Sequence, residues 1–84
     1  MSDESIADRI ERLVGEEHAL RSREEHDSTD SEALEADRRR LRDVEVELDR
    51  CWDLLRQRRA RRAIGADPDE ATARDAETVE RYLQ

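Results

Sequence analysis

The first third of the chain repeats its apolar positions with the period of an α-helix. The apolar residues that share one face are Ile6, Ile10, Leu13 and Leu20. Glu17 is a polar residue on the same face, at the position between Leu13 and Leu20 where the repeat would place an apolar one. Ser5 precedes the run as a suitable N-cap residue, and residues 26–30 are polar and typical of a turn. The pattern predicts helix 1 over about residues 5–25, with Gly15 tolerated inside it at about 1 kcal/mol relative to alanine.

A second, longer helical pattern follows this turn. Leucines recur every seven residues along it, at Leu34, Leu41, Leu48 and Leu55. The alternate positions of the same face are apolar in the middle and polar at both ends: Asp37, Val44, Cys51 and Arg58. Gly65 is favourable just beyond the end of a helix, because glycine adopts the left-handed conformation that ends many helices. The pattern predicts helix 2 over about residues 31–64.

A third helix start follows Gly65. Asp67 can cap a helix, Pro68 suits the first helical position, and Glu70 can complete a capping box. These signals predict helix 3 over about residues 68–83, with an apolar side that carries Val79 and Leu83.

The three helices predict one all-α domain over residues 1–84, a helical hairpin with a long central helix and a short C-terminal helix. Helix 1 is expected to cover only the first half of helix 2, and helix 3 the second half. Since two helices at each level bury few apolar side chains, the sequence predicts a homodimer. Two copies of helix 2 would pack antiparallel in a four-helix-bundle-like assembly. The predicted dimer interface is Leu41, Val44, Leu48, Cys51, Trp52 and Leu55.

The composition excludes several classes of protein. The 84 residues are 48% charged, carry a formal net charge of −8 and include no Phe. A chain of this length is too small to combine catalytic and cofactor domains, and it has no apolar run that could span a membrane. One cysteine excludes an internal disulfide, and the first residues lack the pattern of a signal peptide, so we expect a cytoplasmic protein.

A cluster of arginines at the end of helix 2 is a candidate nucleic-acid site. It consists of Arg56, Arg58, Arg59, Arg61 and Arg62, and guanidinium groups at this density can bind phosphates. Carboxylates of helices 1 and 3 are expected nearby, and cations are favoured at a helix C-terminus. The pattern therefore favours a solvated or ion-paired face, with nucleic acid or a protein partner as alternatives.

Two Glu-Glu-His triplets, at residues 16–18 and 24–26, raise the possibility of a metal site. Di-iron bundles place a glutamate three residues before a histidine, but Gly15 and Arg23 stand there in this chain. We predict no bound metal and no cofactor. Glu17 is expected to pair with an arginine of helix 2, and Cys51 to pack as a small apolar residue, with an intersubunit disulfide as the alternative.

Two stretches of the chain resemble a known family. Residues 5–21 and 44–60, which include the segment Cys-Trp-Asp-Leu-Leu-Arg-Gln-Arg-Arg, are similar to short actinobacterial proteins grouped as a domain of unknown function. The Asp67-Pro68-Asp69 step matches as well, whereas Arg50 stands where the family is expected to carry Gln. The resemblance implies a small helical bacterial protein and brings no assigned activity or functional residues.

These observations predict a non-enzymatic interaction protein that presents charged helix faces to an unknown protein partner. No nucleophile motif or phosphate-binding glycine loop occurs in the sequence, and no membrane association is expected. The alternatives are a nucleic-acid-associated protein that uses the arginine cluster, and a metal-dependent regulator that uses Glu17 and His18.

Overall fold

The computed structural model describes residues 2–26 and 31–74 and shows a helical hairpin. Within these ranges lie two α-helices, α1 (Asp3–His26) and α2 (Ser31–Ala63), and one turn of 3-10 helix at Pro68–Glu70, with no strand. The helices are antiparallel, since Asp3 at the start of α1 contacts Arg58 near the end of α2. The predicted all-α hairpin is confirmed.

The start of α1 is fixed by Ser2 and not by Ser5, the predicted cap. The backbone N–H of Ser5 donates to Ser2 Oγ at 3.1 Å, and the backbone N–H of Ser2 donates to Ser5 Oγ at 3.1 Å. This reciprocal pair satisfies two backbone N–H groups in the way a capping box does. The helix consequently begins two residues before the predicted position.

The end of α2 is closed by Gly65, as the sequence predicts. Gly65 has φ +77° and its N–H donates to the Arg62 carbonyl at 3.2 Å, while the Ala66 N–H donates to the Arg61 carbonyl at 2.8 Å. These two bonds form a Schellman motif, which satisfies carbonyls that the end of a helix leaves without partners.

The core lies between α1 and α2 and is built within one chain. Its members are Ile6, Ile10 and Leu20 from α1, and Val44, Leu48, Cys51, Leu54 and Leu55 from α2. Val44 is fully buried at 0% exposure. Leu48 and Leu55 of the predicted dimer interface are therefore buried within one chain, and the expectation that a second copy must bury them is wrong.

The hairpin register also differs from the expected one, in which helix 1 covers half of helix 2. Ion pairs join the two helices from end to end: Glu24 contacts Arg38 at 3.1 Å, whereas Asp3 contacts both Arg58 and Arg62. Between these ends, Arg9 contacts Glu47 at 2.9 Å. Exposed pairs contribute little stability individually, but together they favour this register over alternatives that would oppose like charges.

The predicted helix 3 is wrong over residues 71–74. Asp67 caps the turn by accepting from the Asp69 N–H at 2.9 Å, and Pro68 takes the first position, as expected. At Ala71, however, the backbone is extended, with φ −68° and ψ 135°. Residues 67–74, which we call the strap, then run back along α2. Residues 75–83 of the predicted helix lie outside the described part of the chain.

Side chains of α2 hold the strap in this extended form. Gln57 Nε2 donates to the Thr72 carbonyl at 2.9 Å, and Arg50 Nε donates to the Arg74 carbonyl at 2.9 Å. In a helix, carbonyls of this kind would accept from N–H groups four residues later in the chain. The strap carbonyls bind α2 instead, which replaces the local bonds that helix 3 would have made.

Candidate interaction surface

Asp53 lies on the side of α2 that contacts the strap. Its side chain is 3% exposed and accepts from Arg74 Nε at 2.9 Å and from Gln57 Nε2 at 2.9 Å, and Arg74 Nη2 completes a two-point contact. Hydrogen bonds from Arg74, and secondarily from Gln57, hold the pKa of Asp53 below its usual range. A buried carboxylate with these donors is stable in its charged form, so it anchors the strap.

Arg58, a member of the predicted nucleic-acid cluster, is instead buried at the junction of three segments. Its guanidinium donates to Asp3 of α1 at 2.5 Å and to Asp69 of the strap at 3.0 Å, and it also donates to the Pro68 carbonyl at 3.2 Å. Hydrogen bonds from Arg62 and Arg58 lower the pKa of Asp3 to about 2. This arginine is therefore a structural link and is not available to phosphate.

The other four arginines of the cluster divide into two pairs. Arg61 contacts Glu70 at 3.3 Å and Arg62 contacts Asp3, so these charges are neutralised within the chain. Arg56 and Arg59 are exposed and make no ion pair with any described residue. Within the described part of the chain, the predicted five-arginine patch is thus reduced to two guanidinium groups without an ion pair.

These two arginines share a face of α2 with Trp52, which is 48% exposed. With 100° between successive residues, one stripe of α2 lies between the leucine row, which it meets at Leu41, and the side of the helix that contacts the strap. Its six members, which we call the open face, are Leu41, Glu45, Asp49, Trp52, Arg56 and Arg59. Of the predicted dimer interface, only Trp52 and the half-buried Leu41 belong to this face, because Val44, Leu48, Cys51 and Leu55 are buried against α1.

The charges of the open face are separated along α2. Glu45 and Asp49 precede Trp52, whereas Arg56 and Arg59 follow it. Glu45 contacts Arg21 of α1 at 2.8 Å. Asp49 is half-buried, makes no ion pair with the described residues, and has its pKa raised by burial. The face therefore has an acidic half and a basic half on either side of one exposed aromatic ring.

Glu17 and Cys51, two other candidate residues of the sequence analysis, both lie within contacts of their own chain. Glu17 lies 3.7 Å from Arg21 in its own helix, so its predicted partner in helix 2 is wrong. Cys51 borders a small cavity of about 120 Å³, in which Glu47 accepts from both Arg9 and Arg50. Burial raises the pKa of the Cys51 thiol, which disfavours its reactive thiolate form.

Residues 2–26 and 31–74 contain no group of three or more His, Cys, Asp or Glu side chains that could bind a metal ion. The helices in the same ranges are also too polar or too short to cross a membrane.

The sequence has relatives along nearly its whole length. A family described as a protein of unknown function (DUF2630) matches residues 2–84. Uncharacterized proteins of Mycobacterium bovis and of two Mycobacterium tuberculosis strains are each 49% identical over 81 residues, which cover 96% of this chain and 90% of each relative. No solved structure matches it. The actinobacterial resemblance is thus confirmed, and the chain belongs to the DUF2630 family of proteins of unknown function.

Proposed function

We propose that this protein is a non-enzymatic interaction protein that works as a homodimer, with the open face of α2 as the surface that meets a second copy. One observation carries the proposal. Trp52 is 48% exposed in the middle of α2, although every other large apolar residue from Leu41 to Leu55 is buried or half-buried. Tryptophan is enriched at the buried centres of protein interfaces, whereas charged residues belong to their rims.

The size of the exposed ring indicates that its burial would matter. A tryptophan buries about 150–250 Å² when it is fully covered, so about 100 Å² of Trp52 is left to cover. At about 25 cal/mol per Å² this area corresponds to about 2.5 kcal/mol for each ring. Two rings in a symmetric dimer would contribute about 5 kcal/mol of gross stabilisation, against which the loss of translational and rotational freedom on association is set.

Sedimentation equilibrium of Trp52→Ser tests this function. Ile64→Ser is a matched control, because Ile64 is also an exposed large apolar residue of this region, at 81%, but lies beyond the end of α2. We expect the unchanged protein and the Ile64 variant to be dimers at tens of micromolar, and the Trp52 variant to dissociate at least 100-fold more readily. A monomeric unchanged protein, or equal weakening by both substitutions, would contradict the proposal.

A nucleic-acid function is the second candidate, and one observation favours it. Arg56 and Arg59 are free of ion pairs with the described residues and lie beside Trp52, and a stacking aromatic next to cations is how single-stranded nucleic acids are bound. A gel-shift titration with a single-stranded oligonucleotide at low and high salt tests it. Binding that weakens steeply with salt and is lost in Trp52→Ser would support this candidate over the homodimer.

A further inference from the structure

We infer that two copies of this chain pair antiparallel through their open faces, about a two-fold axis at Trp52, with Asp49 of each copy against Arg56 of the partner subunit. This inference rests on the proposed function and specifies its geometry. It follows from where the charges of the open face lie relative to the exposed ring.

The open face is complementary to itself in one orientation. In an antiparallel pair with its axis at Trp52, a residue before Trp52 faces the residue equally far beyond it in the other copy. Glu45 lies seven residues before Trp52 and Arg59 seven residues after it, while Asp49 and Arg56 lie three before and four after. Each copy therefore brings Asp49 to Arg56 of the partner subunit, and Glu45, which also contacts Arg21 of its own chain at 2.8 Å, to Arg59 of the partner subunit.

The parallel orientation gives the opposite result. It would place Asp49 against Asp49 and Arg56 against Arg56, so that every charged position of the face would meet its like. Juxtaposed like charges select against an arrangement as effectively as opposite charges select for one. The pattern therefore specifies one direction of pairing.

Three of the four charges of the open face have no ionic partner among residues 2–26 and 31–74: Asp49, Arg56 and Arg59. Glu45 contacts Arg21. Asp49 cannot reach Arg56 of the same helix easily, because seven residues separate them by about 10 Å along the axis. The strap lies on another side of α2, where it contacts Asp53 and Gln57.

Charge reversal distinguishes this arrangement from other dimers. Asp49→Arg alone should weaken self-association about tenfold, because it sets two arginines against each other at both symmetry-related contacts, and Arg56→Asp alone should do the same with two carboxylates. An equimolar mixture of the two variants should form a heterodimer about as tight as the unchanged homodimer, since both contacts then join opposite charges. Restoration on mixing cannot come from a variant that has failed to fold.

Matched controls lie on the same helix but off the open face. Asp43 and Arg39 are exposed and make no ion pair with the described residues. Asp43→Arg and Arg39→Asp should leave the dissociation constant within about twofold of the unchanged protein. Sedimentation equilibrium of each variant and of the mixture gives all of these constants.

The outcomes separate this inference from the function on which it rests. Weakened single variants with a restored mixture support the antiparallel pairing. If the unchanged protein dimerises through Trp52 but the reversals have no effect, or the mixture stays weak, the pairing is overturned while the homodimer stands. Equal weakening by the controls also overturns it, and a monomeric unchanged protein overturns both.

Discussion

Replacing Asp53 by asparagine tests whether one buried carboxylate anchors the strap. The change keeps the shape of the side chain and removes its charge. Asp53 accepts from the Arg74 guanidinium and from the Gln57 amide while it is 3% exposed. In Asp53→Asn the amide nitrogen cannot accept, so at least one bond from Arg74 or Gln57 is lost, and the remaining contact with Arg74 is to a neutral acceptor.

The expected loss follows from the difference between these kinds of hydrogen bond. Bonds to charged groups contribute about 1.5–3 kcal/mol and neutral bonds about 0.5–1.5 kcal/mol. We therefore expect Asp53→Asn to lower the free energy of unfolding by about 1.5 kcal/mol at pH 7. For a domain of this size that corresponds to a decrease of about 6–12 °C in the unfolding temperature.

The lowered pKa of Asp53 also makes the loss of stability depend on pH. Hydrogen bonds, that from Arg74 above all, lower the folded pKa of Asp53 from its ordinary 3.8. A lowered folded pKa gives stability that is fully present above the unfolded pKa and is lost as the pH falls through the folded one. The difference between the unchanged protein and Asp53→Asn should therefore shrink below about pH 4, because asparagine does not titrate.

Urea unfolding followed by far-ultraviolet circular dichroism measures both effects, at pH 7 and at about pH 2.5. Asp43→Asn is the control, since Asp43 is an exposed carboxylate on the same helix without an ion pair among the described residues. It should change the free energy of unfolding by less than about 0.5 kcal/mol. If Asp53→Asn is equally mild at pH 7, or if its deficit does not shrink in acid, Asp53 does not anchor the strap.

Two glycine substitutions should change the free energy of unfolding in opposite directions, and the reactivity of Cys51 should depend on whether the protein is folded. Gly15→Ala should raise the free energy of unfolding by about 1 kcal/mol, because a methyl group there meets nothing within 4 Å and alanine favours the helix. Gly65→Ala should lower it by about 1 kcal/mol, because its φ of +77° disfavours any side chain; thermal unfolding of both variants checks the two signs. Cys51 should react with a thiol reagent far more slowly in the folded protein than in urea, because burial shields the thiol and raises its pKa; equal rates would contradict its buried position.

The two long helices could be predicted from the sequence because their signals are local. The period of the apolar residues indicates α1 and α2, and Gly65 marks the end of α2 from its own backbone preference. The Asp67-Pro68 step likewise starts a helical turn. The turn does not continue as a helix, because carbonyls of the strap accept from side chains of α2 and not from later N–H groups. Those side chains lie far away in sequence, so local signals do not predict this outcome.

The candidate site could be predicted only in part, for a related reason. Trp52 follows Cys51 directly, so the two point about 100° apart, and the choice of which faces α1 is made by packing. The fate of the arginine cluster depended on the hairpin register. Because Asp3 forms ion pairs with Arg58 and Arg62, the surface carries less positive charge than the sequence of the cluster suggests.

The hydrogen bonds between the strap and α2 determine which residues can be substituted. Three of its contacts with α2 end on main-chain oxygens, those of Pro68, Thr72 and Arg74, which every amino acid carries. The corresponding donors, in contrast, are the particular side chains of Arg50, Gln57 and Arg58. A library of variants should consequently accept many replacements at Thr72 and few at Gln57, even though both residues take part in the same hydrogen bond.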